Sequence, residues 1–312
     1  MYPSKIVDAT DPDLFVASVR PTGMDFMVTE RGSFSAHSIL FDLGRVYAQR
    51  CRETLRRVKH ADVPRAGVMF LTAPGPNIVL NGAEIGIDQI AVLDAGECYT
   101  SRLLGPTQWG AVTITQEDMD AIYAPDVDRC TKRLSGMTVF TPIPAALARL
   151  RSLHSYMGHL AETTPKSLFN GRLIDDLAYN VLTAMRDVLS TRASGLDTIG
   201  RRHHQMIVDR FRTVLEGQAD LSFAMPAISQ LIGVSSRTLR LACQEQLGIS
   251  PAQYVLLRRM RSARRALQQA DPDVARVTDI ATELGFWELG RFAVKYREIF
   301  GETPSVTLRR AA

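Results

Sequence analysis

The chain has 312 residues, of which 46% are hydrophobic and 22% are charged. This length and composition are typical of a globular protein with two domains, each long enough to bury a hydrophobic core. No run of about 18 apolar residues occurs, which argues against a membrane-spanning helix. The acidic start lacks the apolar stretch of a signal peptide, and the four scattered cysteines suggest neither a zinc cluster nor a disulfide framework. We therefore expect a cytoplasmic protein.

Positive charge is concentrated in the C-terminal third of the chain. Residues 201–312 carry 17 Lys+Arg against 11 Asp+Glu, a net charge of +6, whereas residues 1–200 carry 20 against 22, a net charge of −2. All but one of these 17 basic residues are arginines, which suit phosphates and guanine edges better than lysines do. A solvated helical surface would show the same excess, so the charge indicates nucleic-acid binding only on a suitable scaffold.

Residues 1–140 consist of short apolar stretches separated by turn residues. Asn81-Gly82 stands between two such stretches and predicts a β-hairpin. Many short strands at regular spacing predict a β-sandwich or a β-barrel.

Residues 143–194 are predicted to form two amphipathic helices. Apolar residues recur at helical spacing in the first helix at Leu147, Leu150, Leu153 and Met157, and in the second at Leu173, Leu177, Val181, Met185 and Val188. Packing on the preceding strands and dimerisation both explain these apolar faces. The second helix is the better candidate for a homodimer interface. Residues 196–204 have turn formers and no periodicity, so we place a linker there.

Residues 205–312 are predicted to be helical and contain an internal repeat. The stretch 227–234 matches 279–286 at an offset of 52, and 248–251 matches 301–304 at an offset of 53. Each copy reads as a short helix, a turn with glycine and a second helix. This order predicts two helix-turn-helix units, at about 227–247 and about 279–300.

The turns and the joining helix of this repeat carry their own physical signals. Gly233 and Gly285 suit the left-handed conformation that ends a helix, and Ser235 suits the N-cap of the next one. A joining helix from about Pro251 to Ala270 would be roughly 30 Å long. Two major-groove faces on one side of DNA lie about 34 Å apart, so one monomer could reach both.

The tandem pattern resembles the AraC/XylS family of bacterial transcription regulators. The resemblance covers about 100 residues and is carried by 233–239, 248–251, 258–263, Ile280-Ala281, Gly285-Phe286, Phe292, Tyr296, Phe300-Gly301 and Pro304. The variant GFWxLGxFAxxY, at 285–296, is similar to the ethanolamine-operon regulator branch.

This resemblance implies an α+β chain of two domains. Residues 1–195 would form an effector-sensing and dimerisation domain, with a cupin-like β-barrel to about residue 140 and trailing helices at 143–194. After the linker at 196–204, residues 205–312 would form an all-α DNA-binding domain. Cupin metal sites need a His-x-His group with further ligands, whereas His37 and His60 stand alone among the strands. We therefore expect no metal, no cofactor and no enzymatic activity.

The predicted function is a sequence-specific DNA-binding transcription regulator, an activator controlled by a small-molecule effector. Its expected partners are double-stranded DNA, an effector of unknown identity, RNA polymerase if it activates, and a second copy of the chain. Two alternative functions remain: a cupin-type enzyme with an accessory helical domain, and an anti-regulator that binds another regulator through its apolar helices.

Helix periodicity also predicts which residues face DNA. Leu239 and Leu241-Ala242 are expected on the buried face of the first recognition helix. Arg237 and Arg240 are expected to read guanine or to contact phosphates. Trp287 is expected to be half-buried, bracing its turn, rather than stacked on a sugar. The expected DNA-contacting residues are Ser235, Ser236, Arg237, Thr238, Arg240, Gln244, Leu289, Gly290, Arg291, Val294, Lys295 and Arg297.

Overall fold

The computed structural model describes residues 3–19, 24–123, 137–190, 199–217 and 225–310. The chain divides into two compact units, Met1–Ile199 and Gly200–Ala312. None of the helices in the described ranges is both long and apolar enough to cross a membrane.

The N-terminal unit is built on two antiparallel sheets. Its strands are β1 (Ser4–Ala9), β2 (Met24–Val28), β3 (Ala36–Asp42), β4 (Val46–Glu53), β5 (Arg57–Asp62), β6 (Gly67–Leu71), β7 (Ile78–Leu80), β8 (Ala83–Ile85), β9 (Ile90–Leu93), β10 (Cys98–Leu103), β11 (Thr107–Ile114) and β12 (Thr138–Phe140). One sheet has the order β1-β3-β4-β11-β6-β9-β12, and the other has the order β2-β5-β10-β7-β8. The predicted hairpin forms between β7 and β8, where Asn81 and Gly82 both have positive φ, 44° and 78°.

Within the described ranges, four helices accompany the sheets: α1 (Pro12–Val19), α2 (Gln116–Tyr123), α3 (Pro144–Thr163) and α4 (Gly171–Ser190), with a 3-10 turn at Pro165–Phe169 between the last two. One face of the seven-stranded sheet shares a hydrophobic core with α3 and α4. Its other face shares a second core with the five-stranded sheet. The seven-stranded sheet is therefore the middle layer, which explains why all five residues of β6 are buried.

The sheets do not close into the predicted cupin-like barrel within the described ranges. Each sheet keeps two edge strands with one hydrogen-bonded neighbour: β1 and β12 in one, β2 and β8 in the other. Alternating and continuous apolar stretches are common to barrels and sandwiches, so the sequence could not decide between them. The observed architecture is a two-sheet antiparallel domain with α3 and α4 on one face of the seven-stranded sheet.

The residues expected at the dimer interface lie inside the N-terminal unit instead. Leu177, Val181, Met185 and Val188 of α4 are at most 4% exposed and belong to the core that α4 shares with the sheet, and Leu173 packs against that core. A side chain buried in its own domain cannot be buried again against a second copy. Packing on the sheet is therefore the role of this face, and the predicted interface through these residues is wrong.

The C-terminal unit consists of helices α5 (Ile199–Glu216), α6 (Met225–Ile232), α7 (Ser236–Leu247), α8 (Pro251–Gln269), α9 (Val277–Glu283), α10 (Leu289–Phe300) and α11 (Pro304–Arg309). Helix α5 begins inside the predicted linker 196–204, so residues 199–204 are helical; residues 196–198 lie outside the described ranges. The repeat appears as two helix pairs, α6–α7 and α9–α10, joined by α8.

Candidate nucleic-acid interface

The two turns of the repeat have the predicted left-handed glycines. Gly233 and Gly285 both have a φ of 76°, a conformation that side chains with a Cβ rarely adopt. A Cβ at Gly285 would also lie 2.7 Å from Nη2 of Arg259. The backbone conformation therefore favours glycine at the second turn, and a larger residue there would also displace the guanidinium group of Arg259.

Hydroxyl groups fix the start of the first recognition helix, α7. Ser235 is its N-cap, and its Oγ accepts a hydrogen bond of 3.1 Å from the backbone N–H of Thr238. The hydroxyls of Ser235 and Thr238 lie 2.8 Å apart, and those of Ser236 and Ser229 lie 3.2 Å apart. Three of the predicted DNA contacts therefore already have partners within the turn, where they orient the helix.

The outer face of α7 presents two arginines and a glutamine. Arg237, Arg240 and Gln244 are exposed, whereas Leu239, which is 1% exposed, anchors the helix in the core. Neither arginine forms an ion pair with any residue that the structure describes. Both guanidinium groups are thus available to phosphates or to guanine edges.

Leu241 lies on this outer face and not on the predicted buried face. At 100° per residue it points about 200° away from Leu239, next to Arg237 one turn earlier, and it is 53% exposed. Its apolar tip suits the methyl group of thymine. The sequence prediction grouped Leu241 with Ala242 by hydrophobicity and overlooked the helical angle.

The second recognition helix, α10, is anchored by aromatic residues. Phe292 and Tyr296 are buried, and the ring of Phe286 lies 4.8 Å from that of Phe292. The outer face holds Gly290, Arg291, Val294 and Arg297, all exposed, and Leu289 is 37% exposed at its edge. In contrast to α7, its cations have acidic neighbours: Arg291 pairs with Glu288 at 2.6 Å and Lys295 with Glu298 at 3.1 Å.

Trp287 differs from its predicted half-buried position, because 75% of it is exposed. Phe286 fills the core position at this turn, and Arg259 lies over its ring at 4.4 Å. The next side chain along the chain therefore turns outward. Trp287 is left at the start of α10, beside the predicted reading face.

The joining helix α8 has 19 residues and is about 28 Å long. Met260, Ala263 and Leu267 form its buried stripe together with Leu257, whereas Leu256 is half-buried. Arg265 is exposed, whereas the side chain of Arg258 is 24% exposed and lies 3.9 Å from Glu216.

Two further arginines of α8 hold the C-terminal unit together. Arg259 donates two hydrogen bonds to the carbonyl of Leu284, at 3.0 and 2.8 Å, and so satisfies an orphan acceptor at the end of α9. Arg264 is buried, 3.8 Å from Glu302 and above the ring of Phe300. Much of the arginine excess of α8 is thus structural.

A cavity of about 320 Å³ opens between the two sheets of the N-terminal unit. Most of its wall is apolar or aromatic, but Lys59 of β5 reaches into it and is only 5% exposed. Its Nζ lies 4.8 Å from the ring centre of Trp109 and 5.1 Å from that of Tyr99. No carboxylate within the described ranges pairs with it at 4 Å or less, so the rings are its main stabilising contacts.

A buried ionic network stands beside this cavity. Arg57 donates two hydrogen bonds to Glu53, at 3.0 and 2.9 Å, and one of 2.6 Å to Ser101, while the indole N–H of Trp109 donates to Glu53 at 2.8 Å. Burial alone would raise the pKa of Glu53, but the charge and hydrogen bonds of Arg57 and Trp109 outweigh it and lower that pKa. Glu53 therefore remains ionised in the interior.

Sequence reasoning missed two groups of residues in this unit. Lys59 gave no signal, since one lysine in a strand reads as a surface residue. His60, predicted to stand alone, lies close to Asp62 and Cys98. The pairing of β5 with β10 brings these residues together, and only the spacing His60-x-Asp62 on one strand face was visible in the sequence.

Comparisons with known proteins support the predicted DNA-binding function. A family model described as a helix-turn-helix domain matches residues 228–310. The probable thc operon regulatory protein of Rhodococcus erythropolis is 39% identical over 95 residues, 30% of this chain and 29% of that protein. The XylDLEGF operon transcriptional activator 2 of Pseudomonas putida is 30% identical over 121 residues, 39% of this chain and 77% of that protein.

Among solved structures, the AraC-like transcriptional activator CuxR aligns with 83% of this chain and 95% of its own, with a TM-score of 0.43 and 11% identity. The chain spans less than a third of the length of the Rhodococcus relative. The residues that match the helix-turn-helix family model, 228–310, lie within the C-terminal unit.

Proposed function

Because the chain belongs to the AraC/XylS family of helix-turn-helix transcription regulators, we propose that it binds specific DNA sequences and activates transcription under the control of a small-molecule effector. The observation that carries this proposal is the outer face of α7, where Arg237 and Arg240 are exposed and have no acidic partner in the described ranges. The Pseudomonas relative is named as an activator, and as an activator the chain would contact RNA polymerase.

The proposed interface has two unequal halves. Helix α7 would read bases with Arg237, Arg240 and Gln244, whereas Arg291 and Lys295 of α10 must first leave Glu288 and Glu298. Ser235, Ser236 and Thr238 would hold the N-terminus of α7 toward the phosphates, and Arg297 would add a phosphate contact. Leu289, Gly290 and Val294 would line the second groove. The sequence at 285–296 supports a place near the ethanolamine-operon branch.

We expect Arg237→Ala to weaken binding to a duplex selected by the wild-type chain from a random-sequence library by about 1–3 kcal/mol. The reason is that a bidentate contact to guanine is lost, which discriminates between bases. Fluorescence anisotropy with the selected duplex and with a shuffled duplex of the same composition measures the effect.

Arg265→Ala is the matched control for this experiment, because Arg265 is an exposed arginine of the same unit outside both recognition helices. The control should weaken binding to both duplexes by the same small factor. An equal loss of affinity on the two duplexes for Arg237→Ala would make Arg237 a phosphate contact and contradict base reading.

The cavity between the sheets is the proposed effector site, and Lys59 indicates the chemistry of the effector. A buried ammonium normally has a counter-charge; the charge of Lys59 acts on Glu53, but that carboxylate is paired directly with Arg57, and the close contacts of Lys59 are aromatic faces. An apolar carboxylate would supply a direct counter-charge to Lys59 and place its hydrophobic part against the rings of Tyr99 and Trp109. An anionic, mainly apolar molecule that fits about 320 Å³ is therefore the proposed class.

We expect Lys59→Met to weaken the binding of aromatic carboxylates to the full chain by about 1.5–3 kcal/mol, the range for a hydrogen bond to a charged group. Isothermal titration with a series of carboxylates and their uncharged amides measures this loss. Lys166→Met, at an exposed lysine of the same unit, is the control and should leave affinity unchanged. Equal affinity of the wild-type chain for a carboxylate and its amide would contradict the assignment.

Homodimer formation stays a prediction. Since Leu177 and its neighbours are buried within the domain, a dimer would have to use other surfaces of the chain. Large apolar side chains are exposed on or beside α3 and α4 at Tyr156, Phe169 and Tyr179.

A further inference from the structure

Three potential metal ligands converge on the five-stranded sheet. His60 and Asp62 are two residues apart on β5, so both side chains stand on the same face. In the pairing of β5 with β10, Cys98 lies directly opposite Asp62. One ligand atom from each of the three residues lies within 4.8 Å of the other two.

The local hydrogen bonds already hold these groups together. The thiol of Cys98 donates to Oδ1 of Asp62 at 3.0 Å, and Nδ1 of His60 lies 3.1 Å from the hydroxyl of Thr100. Asp25 of β2 pairs directly with His60 in register, which places its carboxylate on the same face. Such a carboxylate is suited to accept the N–H of a ligating imidazole and to fix its orientation.

We propose that His60, Asp62 and Cys98 form a binding site for a divalent transition metal of the zinc class. A thiolate, an imidazole and a carboxylate are the ligand set that zinc takes in proteins, whereas calcium and magnesium require oxygen ligands throughout. Bond lengths of about 2.0–2.3 Å place tetrahedral ligands roughly 3.5 Å apart, so small side-chain rotations bring the three atoms into range. A fourth position remains for water or another ligand.

Access and thiol chemistry favour Cys98 over the other cysteines described. Cys98 is half-buried and Asp62 is exposed, so a hydrated ion can reach both. Cys51 and Cys243 are buried, and burial raises the pKa of the Cys51 thiol and raises that of Cys243 to about 12. A metal displaces the proton from the Cys98 thiol, breaking its hydrogen bond to Asp62, and both freed atoms become ligands.

The test uses the full chain, reduced and freed of metal, with Cys130→Ser to remove the thiol outside the described ranges. We expect titration with Co²⁺ to produce a thiolate-to-cobalt charge-transfer band that saturates at one ion per chain. Cys98→Ser should abolish the band, and His60→Asn should abolish it or weaken cobalt binding severely. Asp25→Asn should weaken affinity by about 10–100-fold, as expected for a residue that positions a ligand.

His37→Asn is the matched control, because His37 lies between Asp8 and Glu162 on the other sheet, outside the cluster of His60, Asp62 and Cys98. A second measurement does not depend on cobalt: Zn²⁺ should protect Cys98 from alkylation by iodoacetamide in the parent chain but not in His60→Asn. The proposal is overturned by a charge-transfer band that survives Cys98→Ser, or by unchanged alkylation in the presence of Zn²⁺. Neither readout depends on DNA or effector binding.

Discussion

The isolated C-terminal unit, residues 200–312, is expected to bind operator DNA without the rest of the chain and to lose affinity steeply as salt is raised. This unit is compact and contains both recognition helices, and residues 201–312 carry a net charge of +6. If it neutralises about six to ten phosphates, its affinity should fall by about 10³–10⁵ between about 50 and 200 mM salt. Anisotropy with the selected duplex over a salt series gives the slope directly.

Two further comparisons test this prediction. The double variant Arg237→Gln/Arg240→Gln of the same fragment should bind the selected and the shuffled duplex with nearly equal affinity while keeping most of its salt dependence, since these two arginines read bases and the phosphate contacts lie elsewhere. The fragment should also ignore any ligand that changes DNA binding by the full chain, because the cavity lies in the other unit. A fragment that fails to bind the duplex at low salt, or that responds to the effector, would contradict this division of labour.

Glu53→Gln is expected to destabilise the N-terminal unit by about 3–5 kcal/mol, because it leaves the buried Arg57 without its counter-charge. Both side chains are at most 1% exposed and bonded through two contacts. In a Trp287→Phe background, urea unfolding followed by fluorescence reports on Trp109, whose indole donates to Glu53. Because the folded-state pKa of Glu53 is lowered, its contribution is present above its unfolded pKa and disappears as pH falls through the folded one.

The neighbouring surface pair supplies the control. Arg56 and Glu30 lie 3.4 Å apart with side chains 62% and 32% exposed, so Glu30→Gln should cost less than about 1 kcal/mol. The double variant Glu53→Met/Arg57→Met should be more stable than Glu53→Gln, since it removes both buried charges. If Glu53→Gln lowers the free energy of unfolding as little as Glu30→Gln does, the Glu53–Arg57 ion pair does not stabilise the domain as predicted.

Local signals in the sequence were sufficient to predict the turns and the helix starts of the C-terminal unit. The left-handed turns at Gly233 and Gly285, the N-cap at Ser235 and the buried anchor Leu239 all appear as predicted. Each of these depends on neighbours within about one turn of chain, and the turn glycine occurs in both copies of the repeat. The hairpin at Asn81 was predictable for the same reason.

Only the tertiary structure decided those features that depend on contacts between residues far apart in the sequence. Whether the strands close into a barrel, whether Val181 and Met185 face a sheet or a second copy, and whether Trp287 is covered are all settled by residues far away in sequence. The same holds for Lys59 in its cavity and for His60 beside Cys98, which lies 38 positions later in the chain. A sequence pattern gives the side of an element that is apolar, but the element that covers it is chosen by the fold as a whole.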